Sequence, residues 1–145
     1  MKAKMTTKEA TWTNVLMNYL LTDKKEHQAI LGKLPLDKRK DVIGRKGQLV
    51  IDGPGGGSWI IRLTSMGAVR ETSKSGILHK FWMTEATLQD LILERLDPRE
   101  AWDKGLIRIT GQRILYHSEE LFQALERWII GKVRPIGRRI LEAED

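Results

Sequence analysis

Three histidines, His27, His79 and His117, are the side chains in this sequence best suited to move protons or bind a metal near neutral pH. None belongs to a His-Glu-x-x-His or a His-x-His pair, the spacings that bring two imidazoles to one ion, so the pattern gives no metal centre. His117 opens the run His117-Ser118-Glu119-Glu120, which holds an imidazole, a hydroxyl and two carboxylates. A nucleophilic triad needs those groups in a fixed relay, and one local cluster does not set such a geometry. The same residues make an ordinary helix start, with Ser118 as the cap and two acids at the positive end of the helix dipole, and that is the expectation here. The carboxylates Asp37 and Asp41 stand among lysines and arginines and read as a solvated loop face. His79 reads as an ordinary strand residue. There is no cysteine, which excludes disulfides, thiol nucleophiles and thiolate metal sites. No Gly-x-Ser-x-Gly elbow is present. The expectation is no catalytic residue, no metal and no cofactor.

The stretch Ile51 to Leu63, IDGPGGGSWIIRL, poses a second chemical question. A phosphate-cradling loop runs from glycines straight into a helix, whose free amides and dipole hold the anion, and adds a Lys-Ser or Lys-Thr pair. Here the glycines run into a strand pattern and no lysine follows. A dinucleotide fingerprint fails for the same reason. Gly53 to Gly57 is therefore expected to be a flexible connection between neighbouring strands, with glycines free to take positive φ and Pro54 pre-setting one turn position.

The elements that would position any site follow from periodicity. Thr11 to Leu31 reads as helix, as one piece or two, with Thr11 or Thr13 as cap and Gly32 and Pro35 as the stop. Strands are expected at Gln48 to Asp52, Trp59 to Thr64, Ala68 to Glu71, Ile77 to Met83 and Leu106 to Thr110. In the second of these, Trp59, Ile61 and Leu63 share one face. At Thr84 the period changes from two to 3.6, and Leu88, Leu91, Ile92 and Leu96 form one helical stripe. Thr84 is expected to cap that helix. Asp97-Pro98 ends it and starts a short one, with Pro98 at a first helical position, and Gly105 stops the short helix. A last helix is expected at least from Ser118, with Leu121, Phe122, Leu125 and Ile129 on one face. Whether Arg113 to His117 begins it or forms a strand, periodicity leaves open.

The order of these parts resembles the sterol carrier protein-2 family, over roughly Gly47 to Leu125. GQLVIDGPGGGSWIIRLTSMGAVRE is similar to that family's first strands. FWMTEATLQDLILERLDPREAWDKGLIRITGQ carries the more specific half: Met83-Thr84 leading into Leu88 to Leu96, then Asp97-Pro98, Ala101-Trp102, Gly105 and the strand from Leu106 to Gly111. Two positions depart from the family pattern. Gln112 stands where Asp or Asn is usual, and RILYHSEE is longer and more polar than the usual small-residue helix start. The resemblance implies an α+β fold, with about five strands in a mostly antiparallel twisted sheet, helices over one face, and an apolar cavity between the layers. It implies a non-enzymatic carrier for a fatty acyl chain, a sterol or a similar lipid. Binding of that kind needs no reaction chemistry, because each buried methylene contributes about 0.8 kcal/mol. The candidate lining residues are Trp59, Ile61, Phe81, Leu88, Leu91, Ile92, Leu121, Phe122, Leu125 and Ile129, although a buried stripe at such spacing is more often plain core than ligand contact.

The 145 residues are expected to form a single domain, with residues 1–46 as an N-terminal helical segment and connection, 47–131 as the core, and 132–145 as a basic tail. Lys and Arg number 25 against 19 acids, a net charge of +6. That favours acidic partners mildly, since most basic residues are interleaved with acids. In the tail, Trp128, Ile129, Ile130, Val133, Ile136, Ile140 and Leu141 alternate with Arg127, Lys132, Arg134, Arg138 and Arg139. Such a segment suits an anionic membrane surface. A last helix packed on the domain and followed by a short amphipathic arm is the reading favoured, because Gly131, Pro135 and Gly137 interrupt any long helical face. A partner protein, with the domain as accessory module to an enzyme of lipid or quinone metabolism, is the second functional class. Nucleic acid ranks last, because an aromatic content of 6% gives few stacking platforms. No run of roughly 18 apolar residues and no secretory leader is apparent, so the expected location is cytoplasmic.

Overall fold

The computed structural model describes residues 11–22, 46–64, 67–71, 73, 75–77, 79–111 and 114–144. In chain order the elements are α1 (Trp12–Leu20), β1 (Leu21–Thr22), β2 (Lys46–Asp52), β3 (Gly57–Thr64), β4 (Gly67–Arg70), β5 (His79–Thr84), α2 (Glu85–Ile92), α3 (Pro98–Asp103), β6 (Arg108–Gly111), α4 (Ile114–Trp128), a π-helical turn (Ile129–Val133) and α5 (Arg134–Glu144). The strands form one sheet in the order β1-β4-β3-β2-β5-β6. The β2–β3, β3–β4 and β5–β6 pairs are antiparallel, and the β1–β4 and β2–β5 pairs are parallel. The fold is α+β, and the sheet is mixed with a majority of antiparallel pairs. Its sixth member is the two-residue β1, within the segment expected to be helical.

That difference has a local cause. Thr11 caps α1 by accepting from Asn14 N at 3.3 Å, but the helix closes at Leu20. Leu21 takes extended backbone, is buried, and pairs with Ala68, while Thr22 pairs with Val69. Pairing with the edge of β4 overrides helix propensity here. The expected remainder of that helix, to Leu31, lies outside the described residues, as do His27, Asp37 and Asp41.

Alternation places Leu49, Ile51, Trp59, Ile61, Phe81, Met83 and Ile109 on the covered face, where all are buried. The other face carries Gln48, Lys80 and Trp82, with the Arg108 guanidinium 4.7 Å from the Trp82 ring centroid. The helix starts follow the sequence reading. Thr84 accepts from Thr87 N at 3.1 Å. Asp97 accepts from Arg99 N at 3.1 Å, with Pro98 in the first turn. Gly105, at φ +76°, ends α3.

The last helix departs from expectation in two ways. It begins at Ile114, so Ile114 to His117 is helix and not strand, Arg113 lies outside the described residues, and Ser118 and Glu119 lie inside the helix instead of at its start. It also runs on through Gly131, Pro135 and Gly137, which were expected to interrupt it. Proline lacks the amide that would bond to the carbonyl four residues back, and its ring crowds that carbonyl. The π-helical turn ends two residues before Pro135 and contains Gly131, the residue four back, so the wider backbone there lets the chain stay helical across the defect.

Glu119 instead projects to α3. Its carboxylate accepts from both terminal nitrogens of Arg99, at 3.0 and 2.7 Å. The guanidinium carbon of Arg99 also lies 4.6 Å from the Phe122 ring centroid, and Trp102 stacks on Phe122 at 4.3 Å. The hydrogen bond from Arg99 holds the Glu119 carboxyl below its ordinary range. A depressed carboxyl stabilises the fold above its unfolded-state pKa and loses that contribution as pH falls through the folded value. Acid titration of stability should therefore show a component, in and below the usual carboxylate range, that Glu119→Gln removes. Equal pH dependence of both proteins in chemical denaturation would contradict it.

Candidate functional site

One junction at the end of the sheet joins three distant segments. Glu85 is the first residue of α2 and is partly buried. Its Oε1 accepts from Gly55 N at 3.3 Å, and its Oε2 accepts from the Trp12 indole of α1. Thr13 of α1 donates its hydroxyl to the Gly55 carbonyl. The glycine stretch is thus the turn between antiparallel β2 and β3, as expected, but it is tied to α1 and α2 by hydrogen bonds where a flexible link was anticipated. Its glycines answer to close approach. A Cβ on Gly55 would stand 2.1 Å from Glu85 Oε2, and one on Gly56 would stand 1.9 Å from the Ile51 carbonyl oxygen. The loop does seat an anion, and that anion is the protein's own carboxylate. Sequence reading missed Glu85 as its occupant, because the pairing joins residues 73 apart, Trp12 and Glu85, and only the closed fold brings them together.

Between the sheet and the helices lies the apolar interior. Trp59, Ile61 and Phe81 reach it from the sheet, Leu88, Leu91 and Ile92 from α2, and Phe122, Leu125 and Ile129 from α4 and the π turn. These nine are buried in one contiguous cluster, and Leu121 is partly buried against it. Ile61, Leu91, Ile92, Phe122 and Leu125 have no solvent-reachable surface at all (0 % exposed). The ten residues nominated from sequence therefore come together. Leu49, Ile51, Met83, Ala101, Ile107 and Val133 join them in the cluster and were not nominated. Leu49, Ile51 and Met83 could have been found by extending the Trp59–Ile61–Phe81 face through the strand register.

The C-terminal cations do not form a free basic arm. Arg134 donates Nε to the Leu91 carbonyl at 2.9 Å, one of the carbonyls that the end of α2 leaves without a helical partner. Glu94, a non-glycine residue at φ +62° just beyond α2, sets its carboxylate 3.9 Å from both Arg134 and Arg138. Gly137 lies flat on α2, where a Cβ would stand 2.6 Å from Ile92 Cδ1. Val133 of the π turn and Gly137 of α5 are buried, so this stretch is packed on the domain, while Ile130, Lys132 and Arg139 face outward.

Among the described residues, no cluster of three or more His, Asp or Glu is placed to hold a metal ion. His79 is buried edge-on to Phe81, with ring centroids 4.9 Å apart. No helix of the described residues is long and apolar enough to cross a membrane.

The molecule is thus an α+β protein whose sheet and helix layers enclose an apolar interior. No family model matches the chain, and no curated protein matches it. Solved structures do, sterol carrier protein 2 structures among them. The chain is similar to sterol carrier protein 2 like 2 from Aedes aegypti, with 17% identity and a TM-score of 0.47 over 77% of this chain and 94% of that one. It is similar to a crystal structure of sterol carrier protein 2, with 20% identity and a TM-score of 0.46 over 74% and 92%. It is similar to sterol carrier protein domain 2 of Helicoverpa armigera, with 19% identity and a TM-score of 0.41 over 81% and 91%. These structures carry the name of the family that the sequence resembles. The likeness is one of layout and says nothing of a ligand.

Replacing Arg134 with Ala leaves the Leu91 carbonyl without its donor. The expected loss is about 1–3 kcal/mol, measured by urea denaturation. Glu94→Gly relieves the left-handed backbone and breaks only the long ion pairs. It should be neutral or stabilising by up to about 1 kcal/mol. A marked destabilisation by Glu94→Gly would show that its ion pairs hold α5 in place.

Proposed function

We propose that this protein is a non-enzymatic carrier that takes one hydrophobic molecule, of the acyl-chain, sterol or similar lipid class, between its sheet and its helices. The observation that carries this reading is the interior itself. Strands and helices from the whole described chain converge on one apolar layer, and it is covered along one side by a helix whose ladder is irregular at Ile129–Val133. The order of sequence motifs supports it too, since Met83-Thr84, Asp97-Pro98 and Gly105 each fall at the element boundary that the resemblance implies.

The layers are closed around Ile61, Leu91 and Phe122, so a guest enters by parting them. The irregular turn is the place where this costs least. Its i to i+5 ladder already departs from the α-helix, whereas the opposite junction at Glu85 is tied by direct hydrogen bonds. Burial of a long hydrocarbon chain, at about 0.8 kcal/mol per methylene, offsets the separation.

Delipidated protein should bind a fluorescent fatty-acyl probe saturably and at one site. At a ligand concentration of 100 times Kd, the fold should gain about 2.7 kcal/mol, a rise in Tm of roughly 5–10 °C for a chain of this size. Absence of saturable binding by folded protein, across acyl chains, sterols and quinones, would overturn the reading.

A further inference from the structure

Trp128 ends α4 and is 6% exposed. Its indole N–H meets no acceptor among the described residues. Two other indoles of the chain do have acceptors: Trp12 donates to Glu85, and Trp59 to Asn14 Oδ1 at 3.3 Å. A buried donor left without a partner costs about 1–3 kcal/mol, and buried indoles ordinarily find one. The neighbouring Leu125, Ile129 and Val133 are buried and purely apolar. The backbone departs from α-helical geometry at the very next residue. An unpaired donor, an apolar surround and an irregular turn thus coincide at one point of the interior.

We propose that the Trp128 N–H is the polar anchor of the bound molecule, and that it selects a neutral amphiphile bearing one acceptor oxygen, such as an alcohol, ketone or ester. This rests on the proposed role of the interior as a hydrophobic binding layer, and it names the head group that layer takes. The neutrality follows from the surroundings. Among the described residues no Lys or Arg is buried, so a carboxylate drawn to Trp128 would enter as an uncompensated charge. A hydroxyl or carbonyl oxygen brings the acceptor without that penalty. A plain hydrocarbon brings no acceptor and leaves the donor as it stands.

The test uses the whole chain and three probes of equal length: dodecane, dodecanol and dodecanoate. Each displaces a fluorescent acyl probe, and each is followed in the indole region of a nitrogen-15 correlation spectrum, with the Trp128 resonance assigned from Trp128→Phe. Dodecanol should bind the wild-type protein about tenfold more tightly than it binds Trp128→Phe, the ratio that one ordinary hydrogen bond supplies. It should move the Trp128 N–H resonance downfield, and dodecane should not. Trp128→Phe should bind dodecane as the wild-type protein does. Should that variant fail to fold, the wild-type resonance decides by itself. Equal affinity of dodecanol for the wild-type protein and Trp128→Phe, or an unmoved indole resonance with dodecanol bound, overturns the anchor. Dodecanoate binding as tightly as dodecanol, with the same indole shift, overturns the neutral head group. Failure of all three probes to bind overturns the binding layer itself, and the anchor with it.

Discussion

Three distant segments of this fold meet at a single carboxylate. Glu85 stands in the first turn of α2, where the helix dipole favours an acid, and it accepts from the indole of α1 and an amide of the β2–β3 turn. One side chain thereby fixes two helices and a hairpin to each other. The glycines make this geometry available, since a methyl group at residue 55 would occupy the space of the carboxylate oxygen itself. A run of glycines that looks like slack in the chain is where its parts approach most tightly. It answers the phosphate-loop question chemically: the backbone does receive an anion, and the anion is internal.

The other end of the layer is organised differently. The C-terminal helix crosses a proline by adopting a π turn, and it is then fastened to α2 through Arg134 and Gly137. Basic residues that look like a surface tail in the sequence serve in part as caps. Arg134 satisfies a carbonyl at the end of α2, and Arg138 stands near Glu94. Only part of the cationic character of this segment faces outward, which weakens the case for a detached amphipathic arm. The two ends of the interior therefore differ in kind, one locked by hydrogen bonds from charged and polar groups and one built on irregular backbone beside an unpaired indole donor.

Much of the architecture could be read from local pattern because it obeys local rules. The caps at Thr11, Thr84 and Asp97, the stop at Gly105 and the alternation in β2, β3 and β5 each depend on residues close in sequence. The ten apolar residues chosen from strand and helix stripes all belong to or border the same cluster, since periodicity reports which side of an element is buried. What periodicity cannot report is whether a buried residue touches a guest or only its neighbours. The failures share a cause as well. Leu21 leaves the helix because β4 offers pairing 47 residues away, at Ala68. Ser118 looks like a cap because its neighbours are acidic, yet Glu119 is drawn to Arg99 on another helix. Pro135 looks like a break because the rule for a regular ladder does not foresee a wider turn before it. Leu21 and Glu119 answer to tertiary partners and Pro135 to an irregular ladder, and in all three a context outside the local rule decides.

A carrier of this kind needs a closed state stable enough to persist empty and an interior whose separation is offset by the burial of a guest. The fully buried Ile61, Leu91 and Phe122 supply the first, and their uniformly apolar character supplies the second. The most direct measurement is native mass spectrometry of the protein after gentle purification. A one-to-one adduct of lipid mass that survives ionisation and is released by organic solvent is the predicted result. A bare polypeptide mass that does not change after incubation with any lipid class would contradict the account.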